Sequence, residues 1–244
     1  MIKSLFKKGF NTLGYDVRRS DMLPNPEPKY GADLWKFDPL FQELWAQARQ
    51  FTLLPELDAY TIYQLITPAV RLKGDIAEIG VYRGGTASIL GHFADATGKQ
   101  LHLFDTFAGM PETDSVKDWH KKGDFSDTSL DQARRNLSSV RNVNFYPGFF
   151  PATAGPVKDA IFCFVHVDVD IYQSVKDCCD FYYPKLQAGG VMLFDDYGKF
   201  TCPGALKAVD EFFADKPEKR FYLPSGPSFV IKQPCSSAGQ EKNH

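Results

Sequence analysis

Two apolar runs of this chain end in acid. Val167-Asp168-Val169-Asp170 closes one and Leu193-Phe194-Asp195-Asp196-Tyr197 the next, and Asp195 follows Asp168 by 27 positions. The interval holds a stretch of helical periodicity, 174–186, and then Ala188-Gly189-Gly190, which reads as a turn, the order of a strand–helix–strand unit. A right-handed crossover makes such strands parallel. Their carboxyl ends then open on one edge of the sheet, where α/β proteins keep their ligands. Asp168, Asp195 and Asp196 are expected to converge there, and three carboxylates in one crevice suit a hard, oxygen-seeking cation.

The sheet is expected to begin at Gly74. Residues 75–80 form a short apolar strand that runs into Gly80-Val81-Tyr82-Arg83-Gly84-Gly85, and 86–95 can form the helix that follows. Glycines in such a loop let backbone approach a ligand closely. A dinucleotide fingerprint would carry glycine where this chain has Tyr82, which disfavours a nicotinamide cofactor. A second strand, 100–104, ends at Asp105, an acid placed to accept hydrogen bonds from a ribose diol. Glu78 and Asp105 beside one loop favour a cationic or hydroxyl-bearing ligand, because a pyrophosphate prefers bare amides and a basic group. The competing readings are a Glu78 that caps the loop's own amides and an Asp105 that serves only its turn.

Downstream, strands are expected at 142–146, 160–167, 220–223 and 228–232, with a helix at 204–214 between the second and third of these. Pro224-Ser225-Gly226-Pro227 joins the last two strands and allows an antiparallel hairpin. Upstream, Leu40, Phe41, Leu44, Trp45 and Ala48 form one helical stripe and Tyr60, Tyr63, Gln64 and Ile66 a second, and these helices are expected to cover the ligand site from one side. The proline-rich stretch 21–39 reads as a linker or extended arm.

Charge and cysteine usage exclude several classes. A net charge of −2 gives no general attraction to nucleic acid, and no basic stripe with interleaved aromatics lies in the expected sheet. The five cysteines, Cys163, Cys178, Cys179, Cys202 and Cys235, are odd in number and lack zinc or C-x-x-C spacing, so a disulfide framework is not expected and a reducing cytoplasm is. Residues 1–19 carry Lys3, Lys7, Lys8, Arg18 and Arg19 against Asp16 on a broken apolar face, which is neither a signal peptide nor a bilayer span. Contact with a membrane surface is one reading of this arm; packing on the domain or on a second subunit of a homo-oligomer is the favoured one. His166 reads as a satisfied core histidine.

The resemblance that unites these features rests on residues 74–85, Leu103-Phe-Asp105-Thr-Phe-Ala-Gly-Met-Pro111, residues 123–128, His166-Val-Asp168-Val-Asp170-Ile-Tyr172 and Asp195-Asp196-Tyr197. In order and wording these segments resemble the macrocin O-methyltransferase family, over roughly 53–232. The resemblance implies an α/β fold of the class I methyltransferase type: a Rossmann-like, doubly wound, mainly parallel seven-stranded sheet with an antiparallel closing strand and N-terminal helical additions. It implies three parts: an arm and helical cap at 1–72, a catalytic domain at 73–234 and a flexible tail at 235–244.

The same resemblance implies an enzyme that uses S-adenosylmethionine and Mg2+ to methylate a hydroxyl of a sugar or glycosylated natural product. It assigns Glu78, Gly80, Tyr82, Asp105, Phe125 and Gly148 to the cofactor, Asp168, Asp195 and Asp196 to the metal, and Asp168 or Asp170 to catalysis. Tyr82 stands where many members carry tryptophan. The expected partner is a small-molecule or glycan acceptor. A phenolic or catechol acceptor, and a non-catalytic S-adenosylmethionine-binding protein, remain the alternatives.

Overall fold

A computed structural model describes residues 33–234; the basic arm at 1–19, most of the proline-rich stretch and the tail at 235–244, with Cys235, lie outside the described residues. The chain divides into two compact units, Met1–Gln42 and Glu43–His244. In the described part of the first, Leu34–Phe37 is a single 3-10 turn where an extended linker was expected. Its neighbour Asp38 accepts the Phe41 amide at 3.0 Å, the side-chain cap of helix α1 (Pro39–Ala48).

The second unit contains α2 (Glu56–Ala69), β1 (Asp75–Ile79), α3 (Gly85–Thr97), β2 (Leu101–Asp105), α4 (Leu130–Asn136), β3 (Val143–Pro147) and β4 (Phe162–Val167). It continues with α5 (Tyr172–Tyr182), β5 (Leu186–Phe194), α6 (Pro203–Phe213), β6 (Phe221–Tyr222) and β7 (Ser228–Ile231). The strands form one sheet in the order β3-β2-β1-β4-β5-β7-β6. Neighbours from β3 to β5 are parallel, and β7 alone runs antiparallel to its neighbours β5 and β6. This is the expected doubly wound plan, and β1 and β4 lie side by side at its centre, where the strand order reverses.

All six residues of β4 are buried, as suits a parallel strand covered on both faces. Fully burying a side chain such as Val165, Val167 or Phe194 stabilises the fold by about 1.5–3 kcal/mol. The core formed by these three with Tyr182, Met192 and Val209 therefore fixes the strand ends from which the acids project.

Two local expectations are corrected. Ala188-Gly189-Gly190 is not a turn: β5 runs through it, with an irregular register against β4 between Phe162 and Phe164. Helix α5 stops earlier, where Pro184 sits in a 3-10 turn over Tyr183–Lys185 that lacks room for a further α-helical bond. Helix α4 was not anticipated, although Ser129 is a plain start signal: its hydroxyl accepts the Gln132 amide at 3.2 Å. No helix among the described residues is long and apolar enough to cross a membrane.

Candidate functional site

A cavity of about 460 Å3 opens at the carboxyl ends of β1, β2 and β4. Gly80, Tyr82, Asp105, Phe125 and Gly148 line one part of it and Asp168 and Asp170 another. Thr52 to Pro55, the connection before α2, supplies a further wall, so the cover expected from the upstream helices comes from the segment between them.

Gly80 owes its identity to strand packing. It has φ +87, and a Cβ there would lie 1.7 Å from the carbonyl oxygen of Asp168. The Asp168 amide in turn donates to the Ile79 carbonyl at 2.9 Å, so the two strand ends that build the site are locked together at this residue. Tyr82 occupies the left-handed region at φ +53, the conformation glycine would supply in a dinucleotide loop. Its hydroxyl donates to Asp127 at 2.8 Å, tying the loop to the segment before α4.

Asp105 is largely spoken for by backbone. One carboxylate oxygen accepts the amides of Val81 and Tyr82 at 2.7 and 2.8 Å, and the other accepts the Phe107 amide at 2.7 Å. The nearby Thr106 hydroxyl already donates to the Gly109 carbonyl at 2.7 Å. A carboxylate has about four acceptor positions, which leaves one on Asp105 for a ligand hydroxyl. Asp105 thus caps the loop and also lines the cavity.

Glu78 behaves otherwise. It is completely buried, its Oε1 pairs with His166 Nδ1 at 2.9 Å, and it does not line the cavity. The alternation of β1 explains the difference, since Ile79 takes the cavity face. His166, equally buried, is a core partner of Glu78, as its sequence context suggested.

Carboxylate oxygens of Asp168, Asp195 and Asp196 come within 4.8 Å of one another. Asp195 and Asp196 are buried, Asp196 accepts the Asp170 amide at 2.8 Å, and Asp195 Oδ1 has no hydrogen-bond partner among the described residues. Lys199, which the sequence reading missed, closes the group: its ammonium hydrogen-bonds Asp195 and stands 3.3 Å from Asp196. Burial disfavours that charge, but the pull of Asp168, Asp196 and Asp195 outweighs it and raises the lysine above its ordinary range. Burial, and then the charges of Asp196 and Asp195, push the Asp168 carboxyl well above the usual carboxylate range. One ammonium against three acids leaves the pocket short of positive charge, and an orphaned oxygen marks where more is needed. The donor set is all oxygen, so the residues fit magnesium.

Strand β4 ends at Val167, and Asp170 turns into the left-handed region at φ +58, which lets it share the cavity with Asp168. Tyr82, Phe107, Phe125 and Asp170 are the non-glycine residues with positive φ among those described, and three of the four line the cavity. Such conformations cost about 1–3 kcal/mol each and gather where a site requires them.

Residues 60–219 match the sequence model of the family described as Macrocin-O-methyltransferase (TylF). The chain belongs to this family. Demethyldecarbamoylnovobiocin O-methyltransferase of Streptomyces niveus is 29% identical over 157 residues, 59% of this chain and 59% of its own length. The 8-demethyl-8-(2,3-dimethoxy-alpha-L-rhamnosyl)-tetracenomycin-C 4'-O-methyltransferase of Streptomyces olivaceus is 29% identical over 150 residues, 55% of this chain and 57% of its own. The match thus spans under two thirds of these curated relatives. The solved O-methyltransferase NovP superposes with a TM-score of 0.68 at 24% identity, covering 79% of this chain and 88% of that one, a likeness of fold.

This macrocin-O-methyltransferase family member has further side chains at its site that no motif announced. His120 and Lys199 line the cavity, and Cys202 lies beside Asp170 at the start of α6. Asp118 is buried and accepts the Tyr172 amide at 2.8 Å and the Asp114 amide at 3.0 Å, which fastens the long β2–α4 connection to the first turn of α5. Its signal in the sequence, an acid in a polar loop, is too common to read.

Proposed function

We propose that this protein is an S-adenosylmethionine- and magnesium-dependent O-methyltransferase whose acceptor is a hydroxyl of a sugar or glycosylated small molecule. One observation carries the reading: a single cavity is lined by the Asp105-clamped glycine loop and by Asp168 and Asp170 after β4, with the buried Asp195 and Asp196 gathered against Asp168. Family membership supports the reaction, and the dimethoxyrhamnosyl group in the name of the Streptomyces olivaceus relative supports the acceptor class.

The loop 80–82, Asp105, Phe125 and Gly148 would hold S-adenosylmethionine, and Asp168, Asp195 and Asp196 would hold magnesium. When bound, the cation makes a coordinated hydroxyl a stronger acid and orients it. Asp168 or Asp170, the two acids that face the cavity from the end of β4, accepts the hydroxyl proton. The acceptor oxygen bonds the methyl carbon as the carbon–sulfur bond breaks, and that electron pair stays on sulfur. Alignment supplies much of the rate, since fixing reactants in order can lower a barrier by about 7–11 kcal/mol. Trp119 and Phe200, 55% and 82% exposed with ring centroids 4.6 Å apart, flank cavity residues His120 and Lys199 and would receive the acceptor.

Calorimetric titration with S-adenosylmethionine and S-adenosylhomocysteine, with and without magnesium, tests the first half of this proposal. Binding is expected in both conditions, and its absence in both would remove the methyltransferase reading. A screen of glycosides and catechols then tests the second half: methyl transfer to glycosides alone is expected, and transfer to catechols alone would reassign the acceptor.

A further inference from the structure

Beside the oxygen-only trio lies a second group of different chemistry. Ligand atoms of His120, Asp170 and Cys202 fall within 4.8 Å of one another. Cys202 Sγ is 3.4 Å from Asp170 Oδ1, and His120 Nε2 approaches the same oxygen at 3.6 Å. Zinc bonds of about 2.3 Å to sulfur and about 2.0–2.1 Å to nitrogen or oxygen put neighbouring corners of a tetrahedron about 3.3–3.6 Å apart. The two measured edges have that length.

The histidine is prepared as a ligand would be. His120 Nδ1 lies 3.2 Å from Asp124 Oδ2. A carboxylate only accepts, so in the neutral ring the proton belongs on Nδ1 and the lone pair on Nε2. That atom is buried, points at Asp170 and makes no hydrogen bond among the described residues. A carboxylate behind the far nitrogen is the usual support of a metal-binding imidazole, fixing its tautomer and orientation.

We propose that His120, Asp170 and Cys202 form a second cation site, for a thiophilic divalent ion such as zinc, adjoining the Asp168, Asp195 and Asp196 trio through Cys202, whose Sγ lies 3.8 Å from Asp196 Oδ1; an ion held there occupies Asp170 and leaves Asp168 as the proton acceptor of the proposed reaction. Imidazole and thiolate select zinc over magnesium, as oxygen-only sites select the reverse. Three protein ligands leave the fourth tetrahedral position for water or a ligand in the cavity that His120 and Asp170 line. On binding, the thiol proton passes to solvent as sulfur takes the metal. Because His120 belongs to the β2–α4 connection and Cys202 to the start of α6, an occupied site would clamp that connection against the sheet edge.

Cobalt(II) reports the coordination directly. Metal-free full-length protein, titrated with cobalt in saturating magnesium, is expected to develop a sulfur-to-cobalt charge-transfer band and strong tetrahedral visible absorption at one equivalent. Zinc should bleach both. Cys202→Ser should abolish the charge-transfer band, Cys178→Ser at the thiol that lines the cavity should keep it, and His120→Gln should weaken cobalt affinity by about tenfold or more. Cobalt in the trio would give only weak, thiolate-free absorption. A wild-type spectrum of that kind, or a thiolate band that survives Cys202→Ser, overturns the proposal whether or not S-adenosylmethionine binds.

Discussion

Two buried acidic groups in this molecule are built from similar parts and differ in whether their charges are answered. Around Glu218, one carboxylate receives the Tyr183 hydroxyl at 2.6 Å and the Gln233 amide at 3.1 Å, with Lys232 3.6 Å away. Around Asp195, three carboxylates share one lysine and an oxygen is left without a partner. The first arrangement is complete in itself and holds the end of the chain's last strand. The second leaves an oxygen without a partner among the described residues, and in the proposed function a bound cation answers it.

The strongest attempt to break this comparison is Asp195→Ala. Loss of the cation site is expected to reduce magnesium-dependent methyl transfer by at least about a thousandfold, the equivalent of about 4 kcal/mol in the barrier. Affinity for S-adenosylmethionine should change little, and melting in chelator should stay level or rise because three crowded buried acids become two while Lys199 keeps Asp196. A variant with wild-type turnover would place Asp195 with Glu218 among the structural acids.

Gly80→Ala tests how Asp168 is delivered. The added methyl group would collide with the Asp168 carbonyl in a left-handed backbone. Strain of about 1–2 kcal/mol and overpacking of about 1–3 kcal/mol predict a stability loss of about 2–5 kcal/mol in urea denaturation. A loss below 1 kcal/mol, taken as the marker of an unstrained surface change, would mean that the β1 and β4 ends are not locked as described.

Asp105→Ala probes an acid between the two extremes, answered by three amides and still open to the cavity. Calorimetry is expected to show S-adenosylmethionine binding weakened by about 1–3 kcal/mol, the scale for leaving hydrogen-bonding groups unpaired. Unchanged affinity would make Asp105 a turn residue only.

How much of this was legible in sequence follows the same division. Strand ends with acids were readable because parallel strands bury both faces and so write themselves as apolar runs that stop at Asp168 and Asp195. Family motifs supplied the rest of the frame. The direction of Glu78 was not legible, because a one-residue alternation decides between cavity and core, and β1 gives the cavity to Ile79. Gly189 and Gly190 resemble a turn in composition, yet backbone hydrogen bonds to Lys232, just after β7, carry the strand through them while its register against β4 shifts. His120 comes from the β2–α4 connection and Lys199 and Cys202 from the β5–α6 connection, two loops whose meeting depends on tertiary packing, and single side chains in polar loops carry no periodicity to betray them.

The smallest expected effect is Glu218→Gln, and its sign separates the two groups. Burial works against the Glu218 charge, but the bonds from Tyr183 and the Gln233 amide and the nearby Lys232 outweigh it and hold the carboxyl below its ordinary value of 4.5. A depressed carboxyl contributes stability that is present above the unfolded value and lost as pH falls through the folded one. Glutamine keeps an acceptor for Tyr183 but drops the charge, so denaturation at neutral pH should show a loss of about 1 kcal/mol. The difference between wild type and variant should then shrink as pH falls below 4.5. Magnesium should stabilise both proteins equally, because this acid is already answered by its neighbours. A variant whose response to magnesium changed would join Glu218 to the cation site and dissolve the distinction.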